Sequence, residues 1–313
     1  MKALLQKSCK ECTASSIETY FWTIKSLAKV AGLQDVPTNE RWITAALLQK
    51  VKQQKPLTRS KNLAVAGIKA LRAYGNKTKL EPWNKYVTEV SERYSKIREK
   101  QERTDREAKN WPKGGYAAIS KLADELHGEV THLFKKAPAR ITFPELWKLG
   151  RWFVFLFYSK HALRGDLADV QIKKRGQNYV LKKGKHWHMH VGEHKTARSH
   201  GAIEIKLDTK VSQALDLFLP YVRAKTSHGY LLSTQRHGKR LSRRDMMKMI
   251  RNTTEDRIGK RIGIQMIRVM KTTAHLKGDQ AAELRRELAH GPGMQLKYVS
   301  RPVGRSQITE GGR

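Results

Sequence analysis

The sequence predicts a mainly α chain with a small antiparallel β-sheet. Three observations carry that expectation. Residues 13–109 repeat apolar side chains at helical spacing. Between 170 and 207, short segments alternate in polarity and are split by turns, as strands do. Beyond 207, helical periodicity returns and continues almost to the end of the chain.

The elements follow in order. Over 13–31, Ser15 or Ser16 serves as a cap, and Ile17, Tyr20, Phe21, Ile24, Leu27, Ala28 and Ala31 share one face. A helix over 40–53 uses Ile43, Leu47, Leu48 and Val51, and one over 59–74 uses Leu63, Ala66, Ala70, Leu71 and Tyr74. Gly32, Pro37, Pro56 and Gly75 punctuate them. A further helix starts after Pro82 and runs to about Arg106; its charged stretch 95–109 reads as a solvated face. The clearest break is Asn-Trp-Pro-Lys-Gly-Gly at 110–115. The chain is therefore divided into a helical domain over 1–110, a connector over 111–135 with a helix at 116–134, and an α+β domain over 136–313 that ends in a flexible tail.

In the second domain, a helix over 145–160 follows Pro144. Its apolar run, 152–158, is closed by Arg151 and Lys160. It is far short of the roughly 18–20 residues a membrane span needs, so it reads as a buried helix. Strand-like segments lie at 170–173, 179–182, 186–191 and 202–207, with Lys195 in the polar turn between the last two. Helices are expected at 208–224, 241–257, 263–275, 279–290 and 293–299.

Composition narrows the function. The chain carries 63 Lys+Arg against 28 Asp+Glu, a formal net charge of +35. Such an imbalance calls for a polyanionic partner, nucleic acid first, with binding that weakens steeply as salt rises. The N-terminus lacks the apolar stretch of a signal peptide, which fits an intracellular protein acting at DNA. The two cysteines, Cys9 and Cys12, are too few for a tetrahedral zinc site and read as reduced thiols near a helix start. His186, His188 and His190 would face one side of a strand, but no carboxylate or cysteine completes a metal site and the neighbours are basic. A DNA-facing polar strand is the preferred reading. Walker, H-E-x-x-H and G-x-G-x-x-G patterns are missing, and the His127-Gly128-Glu129 triplet has no P-C-x-x-C after it. Asp166, Asp169, Glu193 and Asp208 form no convincing two-metal nuclease set. No metal and no cofactor are expected.

Five residues carry the chemistry: Arg164, Lys195, Arg268, His290 and Tyr298. A phenol, with a pKa of about 10, is a poor nucleophile at neutral pH. Surrounding a phosphodiester with cations makes its attack feasible. Two guanidiniums can clamp the non-bridging oxygens as charge builds, and a lysine can protonate the departing 5′ oxygen. A tyrosine can then hold the DNA covalently for a second transfer.

In these residues and their contexts the chain resembles the tyrosine recombinase family, the phage-type integrases. Leu163-Arg164-Gly165-Asp166-Leu167 matches the family's "LR-x-D/E-L" setting. Lys195 matches its β-hairpin lysine. Gln265-Met266-Ile267-Arg268 occupies its H-x-x-R box, and Leu288-Ala289-His290 with Tyr298 occupies its L-G-H box and nucleophile. The wording of 259–268, followed by Thr272-Thr273, is most similar to recombinases of large DNA viruses and related eukaryotic mobile elements. The resemblance implies a site-specific recombinase or integrase that works through a 3′-phosphotyrosyl intermediate, without metal or ATP. It implies double-stranded DNA as partner, a homotetramer built as a dimer of dimers, and a SAM-like helical N-terminal domain gripping DNA. The T-x-x-S-x-x-T-Y wording from Thr13 to Tyr20 fits that domain. Asp166 and Asp169 sit where the family uses acids structurally, to orient Arg164.

Two departures stand out. Gln265 replaces the box's first histidine; an amide can donate to a phosphate oxygen but cannot shuttle a proton near neutrality. The His290–Tyr298 interval is also one residue shorter than usual. Two alternatives stay open: a type IB topoisomerase, and a catalytically inactive DNA-binding relative, the latter motivated by Gln265.

Overall fold

The computed structural model describes residues 1–174, 176–275, 284, 287, 288, 299 and 300. The chain divides into two compact units, Met1–Lys100 and Gln101–Arg313. The fold is mainly α with a small antiparallel sheet.

The first unit holds α1 (Lys2–Ser8), α2 (Ala14–Val30), α3 (Ala45–Lys52), α4 (Leu57–Ala73) and α5 (Leu80–Glu99). Thr13 and Thr44 cap α2 and α3 through their hydroxyls, satisfying N–H groups that the first turn leaves orphaned. The apolar stripes read from the sequence meet in one core: Ile24 and Leu27 of α2, Leu47 and Val51 of α3, Leu63 and Leu71 of α4, Trp83 and Val90 of α5. Gly67, inside α4, lets α5 approach: a Cβ there would lie 2.6 Å from the Trp83 ring. Cys9 and Cys12 differ from expectation. The turn after α1, closed by Cys12 N–H on Cys9 O at 3.0 Å, brings them together and they form a disulfide.

In the second unit, the helix expected to run unbroken to Arg106 is interrupted. Gln101 takes a left-handed φ of 56°, and α6 (Asp105–Asn110) starts afresh. Thr104 and Glu107 form a capping box, each side chain bonding the other's backbone N–H. Next come α7 (Ala117–Val130) and α8 (Phe143–Lys160). The latter is opened by a second capping box, Thr142 with Glu145. Helix α8 is buried on most of its faces, which explains its long apolar run. Phe153 stacks on Phe218 at 5.5 Å, and Trp152 lies beside His127 of α7. Burial of such side chains is worth roughly 1.5–3 kcal/mol each.

Among the described residues the sheet has three strands: β1 (Asn178–Lys183), β2 (His186–Val191) and β3 (Ile203–Lys206), in the order β1-β2-β3, all antiparallel. Alternation decides the faces. Trp187, Met189 and Val191 are buried, while the three intervening histidines are half-buried. The segment 170–173 is not a strand; only Gln171 makes isolated bridges, to Tyr179 and Tyr230. A single helical turn, α9 (Ala197–His200), lies between β2 and β3. Helices α10 (Thr209–Lys225), α11 (Arg243–Ile258) and α12 (Ile264–Ala274) complete the described part. The helices expected at 279–290 and 293–299 lie outside the described residues, apart from isolated positions. No described helix is long and apolar enough to cross a membrane.

Candidate active site

Arg164 lies where α8 has ended. The helix closes with His161 N–H on Phe157 O at 2.7 Å, and the chain then passes through fully buried Ala162 and Leu163. Arg164 is the N-cap of a 3-10 turn, Gly165–Asp169. Tyr158 sets its backbone: the phenol, fully buried, donates to Arg164 O at 2.6 Å. Burial pushes the Tyr158 pKa up, so it stays a donor. The carboxylates of the turn face α11. Arg243 Nη2 is 3.0 Å from Asp166 Oδ1, Arg243 Nε also pairs with Asp169, and Arg240 pairs with Asp169 as well. Their ion pairs fasten the turn that follows Arg164 to α11 and its approach. Burial raises the pKa of Asp166, against the charges of Arg243 and Arg164.

Lys195 is exposed in the turn that leaves β2. Its two neighbours in sequence are anchored. His194, buried, meets Gly201 O at 2.8 Å through Nε2 and Thr196 Oγ1 at 3.3 Å through Nδ1. Arg164 Nη1 donates to Thr196 Oγ1 at 3.2 Å. The structure thus brings the lysine turn against Arg164.

Arg268 lies on α12 and is 1% exposed. A buried guanidinium needs acceptors, and it has them. Nε donates to Ala162 O at 2.9 Å, Nη2 to Leu288 O at 3.5 Å, and Nη1 to Gln265 Oε1 at 3.2 Å. Gln265 itself is exposed, so this bond joins the buried guanidinium to a solvent-facing side chain. Arg164 and Arg268 are therefore joined through one short loop, the 162–164 backbone.

His290 and Tyr298 lie outside the described residues. Their described neighbours in sequence rest on the same scaffold. Leu284 and Leu288 pack with Ala162, and Leu288 O accepts from Arg268. Val299 and Ser300 are buried, and Ser300 N–H donates to Thr273 Oγ1 on α12 at 3.0 Å.

A polar hub missed in the sequence ties these pieces together. Glu287 Oε1 meets His161 Nδ1 at 2.6 Å, and its Oε2 accepts from Ala162 N at 2.8 Å and Lys271 Nζ at 3.3 Å. His161 Nε2 in turn accepts from Asp208 N at 3.1 Å, so Nδ1 carries the proton and donates. Burial raises the Glu287 pKa, but the His161 bond and the Lys271 charge outweigh it and leave the carboxyl below its ordinary value. On the open side of the hub is a cleft of about 440 Å³ lined by Tyr116, Lys160, His186, Lys206 and His275 among others.

Removing this carboxylate strands a nearly buried lysine. Glu287→Ala is expected to cost about 3–5 kcal/mol. Thermal unfolding followed by circular dichroism checks it; a change under about 1 kcal/mol would mean that the hub contributes little. The pH dependence has a definite sign. Folding lowers this carboxyl's pKa, so its stabilisation is full above the ordinary value of 4.5 and drains as pH falls below it. The Ala variant should lose that acid-range slope.

Neither His161 nor Glu287 carries a sequence signal, since each sits in an apolar or helical run like any core residue. Thr196 has a weak one, a hydroxyl beside the lysine of a turn. Among the described residues no group of three His, Cys, Asp or Glu side chains could hold a metal. His190 pairs with Glu204 and stacks on Tyr179 at 4.8 Å; His188 has its pKa lowered by burial and by Lys183 and Lys206.

No family model matches the chain, and no curated protein does. Among solved structures, the chain is similar to the crystal structure of the XerA recombinase, at 12% identity and a TM-score of 0.40, covering 96% of this chain and 93% of that one.

Proposed function

We propose that this chain is a site-specific DNA recombinase of the tyrosine type. The observation that carries the reading is the joining of Arg164, the Lys195 turn and Arg268 through one loop, with the described flanks of His290 and Tyr298 seated on that loop and on α12. A net charge of +35 suits a DNA partner.

In this reading, the Tyr298 oxygen attacks the scissile phosphorus while His290 takes the phenolic proton. The bond to the 5′ oxygen breaks, and Lys195 supplies its proton. Arg164 and Arg268 neutralise the non-bridging oxygens. Gln265 rotates its amide to offer N–H to the same phosphate once DNA displaces it from Arg268. The freed 5′ hydroxyl of another strand then attacks the phosphotyrosine, restoring the phenol. The unit Met1–Lys100 grips the duplex, and four protomers assemble as a dimer of dimers.

A two-duplex strand-exchange assay in chelator, without nucleotide, tests this. Recombinant product is expected. Relaxation of supercoils without exchange would favour a type IB topoisomerase, and binding without cleavage an inactive relative.

A further inference from the structure

Lys195 is exposed and has to reach a leaving group, yet the residues on either side of it are tied down. The direction of those hydrogen bonds can be read from one end. A carbonyl only accepts, so His194 Nε2 donates to Gly201 O. Its Nδ1 is then the acceptor and takes the Thr196 hydroxyl proton. The Thr196 oxygen, its proton committed, accepts from Arg164 Nη1. The chain Arg164–Thr196–His194–Gly201 closes the turn on itself and fastens it to the arginine, with Lys195 between its two middle members.

We infer that Thr196 is a positioning residue that sets the Lys195 ammonium relative to the phosphate held by Arg164. The inference rests on the recombinase reading above. In the step concerned, a phosphorus–phenol oxygen bond forms, the phosphorus–5′ oxygen bond breaks, and one proton moves from Lys195 Nζ to the 5′ oxygen. Thr196 touches none of these atoms. Its hydroxyl holds the turn so that the proton is delivered in line, and displacement by about 1 Å costs on the order of 100-fold.

Thr196→Val keeps the shape and removes the hydroxyl; Thr196→Ser keeps the hydroxyl. Single-turnover cleavage is measured on ordinary duplex and on duplex with a 5′-bridging sulfur, whose departure needs no proton. Thr196→Val should slow ordinary DNA by about 10–100-fold, leave the sulfur substrate within about threefold, and leave DNA binding unchanged. Thr196→Ser should restore most of the rate. Equal slowing of both substrates, no slowing, or failure of Ser to rescue would overturn the assignment. Amide hydrogen exchange over 192–201 reads the tether without any chemistry: Val should speed it and Ser should not, and unchanged exchange in Val would contradict the tether. Absence of any adduct from the unaltered protein would instead overturn the recombinase reading.

Discussion

Tyr298→Phe is expected to bind DNA as the unaltered protein does and to form no covalent adduct. The substitution removes one oxygen and keeps the ring. Removing a covalent nucleophile costs on the order of 10⁶-fold. Residues 299–313 contain no tyrosine. Val299 and Ser300 are buried, and Ser300 is bonded to Thr273 of α12, the helix that carries Arg268. Single-turnover cleavage on a nicked suicide duplex, resolved on a denaturing gel, gives the rate. An adduct formed by the Phe variant would remove Tyr298 from the mechanism.

Arg268→Lys is expected to lose about 10²–10³-fold in cleavage, comparable with losing an oxyanion donor. The structure gives the reason a lysine fails. The guanidinium donates in different directions, to partners that include Ala162 O, Leu288 O and Gln265 Oε1. One ammonium cannot span that fork. Because Arg268 is buried, a melting curve has to accompany the rates. A folded Lys variant with near-normal cleavage would count against Arg268 as a phosphate ligand. Gln265→Ala should cost less, about 1.5–3 kcal/mol in cleavage, the scale of one hydrogen bond to a charged group.

Much of the fold was legible because apolar spacing determines what can be buried. The stripes of α2, α3, α4 and α8 and the alternation of β2 all face the cores assigned to them. The failures are local and physical. The break before α6 leaves no glycine or proline in 100–104; the backbone turns at Gln101, and only the Thr104–Glu107 box records it in sequence. The run Val170-Gln171-Ile172-Lys173 alternates like a strand but finds only isolated bridges. The short turn after α1 hides the pairing of Cys9 with Cys12. At the proposed site, Arg164, Lys195, Gln265 and Arg268 are proposed from residue type and order. Tyr158, Thr196, His161 and Glu287 could not be picked out that way, because their role is to hold the others, and a buried phenol or carboxylate resembles core until its partners are known.

The most direct measurement is mass-spectrometric mapping of protein trapped on a nicked suicide duplex in the presence of chelator. The expected result is a nucleotide joined through a 3′ phosphate to the peptide containing Tyr298, formed without metal or nucleotide cofactor. A metal requirement, a free 3′ or 5′ phosphate end with no attached peptide, or attachment at any other residue would contradict it.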